Sequence, residues 1–103
     1  MRVSDDYSLK FLFHNFHDLA KFYVYIIYSK TKDKFYIGST QNIEERISKH
    51  NNNHKGFTGK NNDWELKYVE EFEDKYQAMQ RENEIKRKKS RKYIEWLVLG
   101  AKN

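Results

Sequence analysis

The sequence predicts an α/β fold of the α+β kind: a three-stranded antiparallel sheet flanked by helices, in the order β-β-α-β-α-α. Three observations predict it. Three short runs rich in aromatic and β-branched residues have strand length, at Phe22 to Tyr28, Lys34 to Ser39 and Trp64 to Phe72. Three further stretches open on a helix-capping residue, Asn42, Asp74 and Ser90. Only the short polar segment from Ser29 to Asp33 joins the first two runs, which makes an antiparallel hairpin their natural pairing.

Each element has its own justification. In the first strand Phe22, Val24 and Ile26 point one way, and Tyr23, Tyr25 and Ile27 the other. Both rows are apolar or aromatic, as expected of a strand covered on two sides. The second strand carries Gly38 near its end. After it, Asn42 with Glu45 three residues on makes a variant capping box. That helix runs to about His50, with Ile43 and Ile47 stacked toward the core. Residues 51 to 63 are rich in asparagine and contain Gly56 and Gly59, the composition of a mobile loop. Asp74, with Gln77 at the matching position, starts a longer helix with Ala78, Met79 and Ile85 on one stripe. Ser90 starts a last short helix bearing Tyr93, Ile94, Trp96 and Leu97 and stopped by Gly100.

With 103 residues the chain has room for one domain and one modest core. It divides into an appendage (1–21), a domain (22–99) and a tail (100–103). In the appendage Leu9, Leu12, Phe13, Phe16, Leu19 and Ala20 recur at helical spacing, which predicts a short amphipathic helix. Such a segment is either a docking helix or an extension from an upstream start codon. His14 and His17 share its face, but two histidines without a third ligand make a weak metal signal. Cysteine is absent, excluding disulfides, thiolate zinc sites and cysteine nucleophiles. The longest apolar stretch is too short to span a bilayer, and no uninterrupted secretory segment is present. A cytoplasmic protein without a membrane partner is the expectation.

Formal net charge is +5 at pH 7, and its location matters more than its size. Residues 1–21 balance to zero, whereas the stretch from Lys86 to Asn103 holds seven Lys or Arg against Glu95 alone. A basic block of this kind suits an anionic polymer, or else forms a solvated helix face. Nucleic-acid contact is accordingly expected at Lys86, Lys88, Lys89 and Arg91, and in the loop at Lys55 and Lys60.

Some residues break the structural pattern. Glu82 lies about 60° from both Met79 and Ile85 and about 40° from Ala78, inside the apolar stripe of its helix. A carboxylate there needs a cation or a strong set of hydrogen bonds. Spacing alone allows a metal ligand, or an edge glutamate paired with Lys86 at i+4. Arg46 and His50, at i and i+4, flank the core on one helix face. An arginine there can fork onto a phosphate oxygen, and a histidine can shuttle a proton near neutral pH. A solvated helix edge would give the same spacing. Tyr25 and Tyr36 stand on adjacent strands, in rows opposite Val24 and Ile26 and opposite Phe35 and Ile37. Two phenols on one face can hydrogen-bond a water or a phosphate, or simply fill a core.

Taken in order, Tyr23-Val24-Tyr25, Tyr36-Ile37-Gly38, Arg46 with His50 on a helix, and Glu82 on a later helix resemble the GIY-YIG nuclease family. The likeness spans about residues 22–99 and is greatest to small stand-alone bacterial members. Those members share a strand like Trp64-Glu65-Leu66-Lys67-Tyr68 ahead of a helix like Ala78 to Lys86. The same module occurs in homing endonucleases and in the incision subunit of nucleotide-excision repair. The resemblance implies a metal-dependent endonuclease that hydrolyses phosphodiester bonds in nucleic acid, DNA being the first expectation. It makes Glu82 the ligand of a single Mg²⁺ or Mn²⁺ ion, and Arg46 the stabiliser of the pentacovalent phosphate. His50 would assist charge or proton balance, Tyr36 or Tyr25 would orient or deprotonate the attacking water, and Gly38 would let the backbone approach the substrate.

Three departures from the family pattern stand out. Tyr23 and Val24 replace the first motif's glycine and isoleucine, and Ser39 stands where some members have lysine. The nearest asparagine after the metal-binding helix is Asn103, the last residue. With no obvious sequence-reading domain, a second expectation is a nucleic-acid-binding module of the same fold that cleaves little without a partner.

Overall fold

A computed structural model describes residues 21–52 and 62–100. The appendage helix, its two histidines, Lys55, Lys60 and Asn103 lie outside the described residues. The observed order is β1 (Phe22–Ser29), β2 (Lys34–Thr40), α1 (Ile43–Asn52), β3 (Trp64–Phe72), α2 (Lys75–Lys88) and α3 (Arg91–Val98), the predicted β-β-α-β-α-α. The sheet is antiparallel with order β2-β1-β3, so the first strand is its centre. That position explains the double apolar row. Val24, Tyr25, Ile26 and Ile27 are all fully buried.

The two rows feed separate cores. Val24 and Ile26 pack with Ala78, Ile85 and Leu97 on the α2–α3 side, joined there by Phe35, Ile37 and Tyr68. Tyr25 and Ile27 pack with Trp64 on the α1 side, joined by Tyr36, Ile43 and Ile47. Burying each aliphatic side chain contributes roughly 1.5–3 kcal/mol, so both cores rest on a single strand. Met79 departs from expectation. It is 45% exposed, while Ala78 and Ile85 are buried. α2 buries Ala78 and Ile85 against the sheet and leaves the flank bearing Met79 in solvent.

β3 contains a bulge. Ile26 faces Tyr68 and Ile27 faces Leu66, leaving Lys67 as the extra residue. Because side chains alternate, one extra residue reverses which face is addressed. Tyr68 and Phe72 therefore meet the α2–α3 core, whereas Trp64 turns to the α1 core.

The three caps form as their residue types require. Asn42 accepts from the Glu45 amide at 3.0 Å, Asp74 from that of Gln77 at 2.8 Å and Ser90 from that of Tyr93 at 3.1 Å. Gly100 ends α3 with φ 92°, which glycine adopts without a side-chain clash. Around the hairpin, Asp63 accepts from the Ser29 hydroxyl at 2.7 Å and the Thr31 amide at 2.8 Å. These bonds hold its carboxyl at about 2, well below its usual value. Across the sheet from α1, Arg81 pairs with Glu70 at 2.9 Å and Glu84 at 3.1 Å and donates to the Tyr93 hydroxyl at 3.2 Å. This links α2 to both β3 and α3. Among the described residues no helix is long and apolar enough to cross a membrane.

Lys89 joins α2 to α3 in the left-handed region, φ 47° and ψ 42°, with its amide on the Lys86 carbonyl. A residue bearing Cβ is strained there, and glycine is not. Lys89→Gly should therefore raise stability by about 0.5–1 kcal/mol, read as a higher urea midpoint at unchanged slope. A lowered midpoint would show that the lysine side chain contributes more than the strained backbone costs.

Candidate active site

Tyr25, Tyr36, Arg46 and His50 come together on the α1 side of the sheet. The hairpin register sets Tyr36 against Ile27 and Gly38 against Tyr25, which puts both phenols on one face. α1 begins three residues after β2 and folds back over that face. The i, i+4 spacing then presents Arg46 and His50 to the tyrosines. The Tyr25 hydroxyl lies 2.9 Å from His50 Nε2, and Arg46 Nε donates to the same oxygen at 3.3 Å. Tyr36 packs edge-on against His50, with ring centroids 4.6 Å apart, and lies 6.4 Å from the Tyr25 ring. Trp64, brought to this face by the bulge, closes the cluster at 6.3 Å from His50 and 6.5 Å from Tyr36.

Burial sets the protonation states. Desolvation raises the Tyr25 phenol above its ordinary pKa, against the opposing pull of Arg46. Desolvation also lowers His50, and the Arg46 charge lowers it further. Both groups are thus neutral near pH 7. Between two neutral partners, the direction of the bond at Nε2 is set by the imidazole tautomer. The hydrogen bond to Tyr25 leads the effects that hold Arg46 above its ordinary pKa, with a smaller contribution from Tyr36. Arg46 is exposed, so its guanidinium is anchored at one end and faces solvent at the other.

Gly38 is buried directly under Tyr25. A Cβ at this position would come within 2.6 Å of the phenolic oxygen and 2.8 Å of the ring carbon bearing it. The closest neighbour of this glycine is therefore the tyrosine it faces.

Glu82 arrives from the opposite side. It lies on α2, below the other core, and reaches the free edge of β2. There it accepts from the Ser39 hydroxyl at 2.7 Å and from Lys86 Nζ at 2.6 Å. Its side chain is 17% exposed. Its charge adds to the effects that raise the Tyr25 pKa. The site thus straddles the edge of β2, with the tyrosines, arginine and histidine on one side and the carboxylate on the other. The pairing with Lys86 is one of the two arrangements that spacing allowed. The Ser39 bond was not foreseen, although Ser39 stands out as a departure from the family pattern.

A metal has one protein ligand available here. Among the described residues no group of three His, Asp, Glu or Cys converges. A lone carboxylate suits a hard divalent ion that keeps its waters and binds substrate oxygens.

Other predicted contact residues have local partners. Arg91 binds Asp33 at 2.6 Å and Glu95 at 2.9 Å, and Lys88 lies 5.0 Å over the Tyr93 ring. Sequence reasoning missed Asn51. Its side-chain amide accepts from the Trp64 amide at 2.9 Å and donates to the Trp64 carbonyl at 3.2 Å. It ties the end of α1, and with it His50, to the start of β3. The only signal was its place directly after His50.

The model of the GIY-YIG catalytic domain matches residues 21–94 of this chain. The protein belongs to the GIY-YIG family. It is similar to a UPF0213 protein from Staphylococcus haemolyticus, 46% identical over 71 residues, covering 66% of this chain and 83% of the relative. A UPF0213 protein from Staphylococcus saprophyticus is 42% identical over 70 residues, with the same two coverages. One from Natronomonas pharaonis is 38% identical over 68 residues, covering 65% of this chain and 79% of the relative. No solved structure matches. Membership supports a nuclease-type domain acting on nucleic acid, and GIY-YIG nucleases generally use divalent metal ions.

Two outcomes follow. Gly38→Ala should destabilise the fold by about 1–3 kcal/mol, because a buried aromatic ring must move, and calorimetry checks this. An unchanged melting temperature would mean that the ring relocates freely. His50 gives a pH dependence. With its folded pKa lowered, the unfolded chain binds more protons at this site once pH drops below about 6.5. Stability should therefore fall as pH decreases from there toward the lowered value, and this component should vanish in His50→Gln. Urea melts at pH 7.5 and 5.5 compare the two proteins, and an equal loss in both would remove His50 as the cause.

Proposed function

We propose that this GIY-YIG domain is a metal-dependent endonuclease that hydrolyses phosphodiester bonds in DNA. The observation that carries the reading is the Tyr25–Arg46–His50 hydrogen-bonded group, with Tyr36 against it and the Glu82 carboxylate at the adjoining strand edge.

The roles follow from exposure and bonding. Tyr25 is fully buried, with its oxygen engaged by both Arg46 and His50, so it is a positioning group. Tyr36 is half-buried on the same face and is the phenol that orients the attacking water. Arg46, held through Nε, turns the rest of its fork toward the phosphate and stabilises the charge that develops there. Neutral His50 holds the Tyr25 hydroxyl in place and can take up a proton as charge changes. Glu82 would hold one Mg²⁺ or Mn²⁺ ion, oriented by Ser39 and released from Lys86. Once bound, that ion supplies Lewis-acid polarisation of the phosphate and stabilisation of the leaving oxygen. A second reading, a module that binds nucleic acid without cutting it, is favoured by one observation: Lys86 already neutralises the carboxylate.

The test is nicking of supercoiled plasmid and single-stranded DNA with Mg²⁺ or Mn²⁺. Glu82→Ala and Tyr36→Phe should each lose on the order of 10²–10³-fold in rate, the usual scale for removing one transition-state contact. Cleavage that survives Glu82→Ala excludes the ligand role. DNA binding with no cleavage by the unaltered chain, even with Mn²⁺, selects the second reading.

A further inference from the structure

A groove of about 410 Å³ lies on the α2–α3 side of β2, opposite the tyrosines. Its volume falls in the roughly 300–1,000 Å³ range of sites that take small organic ligands. Its floor is apolar, built from Phe35, Ile37, Ile85 and Ile94. Its rim is cationic. Lys34, Lys86, Lys89 and Arg91 stand around it with Asp33; Arg91 is paired with Asp33 and Glu95, and Lys86 with Glu82, so the positive charge in excess is modest. The Arg91 guanidinium lies 5.2 Å over the Phe35 ring. Lys86 reaches from this rim to Glu82, 2.6 Å from Oε2, so the groove starts within one side chain of the candidate metal ligand.

Phosphates running past this edge would need the cations only. An apolar floor of this size inside a cationic rim suits a base together with its phosphate. Bases inside a duplex are stacked and cannot reach such a floor, whereas an unpaired base can. We propose that the groove holds one unpaired nucleotide of the strand being cut, its base on the Phe35, Ile37 and Ile94 floor above buried Ile85 and its phosphate on the lysine rim. This rests on the nuclease reading and adds to it a preference for single-stranded or locally opened substrate next to the scissile bond.

Isoleucine methyl NMR of the whole chain, in EDTA so that nothing is cleaved, tests it with three probes of equal length. These are single-stranded oligothymidylate, a stable duplex, and an abasic oligonucleotide that keeps the phosphates. Oligothymidylate should shift the methyls of Ile37, Ile85 and Ile94, and the duplex should leave them in place. The abasic strand should bind roughly fivefold or more weakly, the low end of what one stacked base contributes. Lys89→Gly removes a rim charge at a position where glycine is favoured, and should weaken oligothymidylate binding severalfold without loss of fold. Floor methyls unmoved by oligothymidylate, or equal affinity for the abasic strand, overturn the proposal. Plasmid nicking is scored separately. A chain that nicks with its floor methyls unmoved loses the groove and keeps the nuclease reading. Floor methyls that move in a chain that never nicks support the nucleotide site and remove the cutting.

Discussion

A phenol buried at the centre of a sheet must find hydrogen-bond partners, and much of this site follows from how Tyr25 finds them. Its ring needs the space over Gly38, so the facing residue can carry no side chain. Its hydroxyl needs hydrogen-bond partners on the same side, which Arg46 and His50 supply from one helix at i, i+4 spacing. The helix therefore has to begin close behind β2 and fold back over it. Low polarity around the group keeps the phenol protonated and the imidazole neutral. Each partner is fixed by the same requirement.

The second organising constraint is that β1 serves two cores. A strand buried on both faces must be sandwiched, with α1 on one side and α2 and α3 on the other. Functional side chains on opposite faces are then separated by the sheet, except at its free edges. β2 provides one such edge, and Glu82 reaches it from the α2 side, where it accepts from Ser39. The candidate site is thus an edge feature, assembled from two faces that share no core.

Much of this was legible in the sequence. The caps at Asn42, Asp74 and Ser90 announce themselves because a short polar side chain before an apolar repeat has one main use. The double row in β1 was readable because alternation holds without interruption from Phe22 to Ile27. Glu82 was legible as an anomaly, but its resolution was not. Periodicity gives an angle around an axis and says nothing of a serine on another element. Met79 misled for a related reason. A helical stripe shows which residues share a face, whereas burial depends on which part of that face the rest of the fold covers. Asn51 was invisible because an asparagine-rich segment reads as loop, and a backbone-mimicking amide within it looks like any other residue.

The bulge at Lys67 escaped detection for a deeper reason. Trp64, Leu66, Tyr68, Glu70 and Phe72 form an unbroken even-numbered series that any parity rule assigns to one face. The strand breaks parity once, so a single nine-residue segment delivers Trp64 to the imidazole and Tyr68 to the opposite core. In the language of codes, Lys67 is a frame shift written in space. Comparisons of β3 among relatives accordingly acquire meaning only when both halves are aligned in their own phase, with the lysine counted as punctuation.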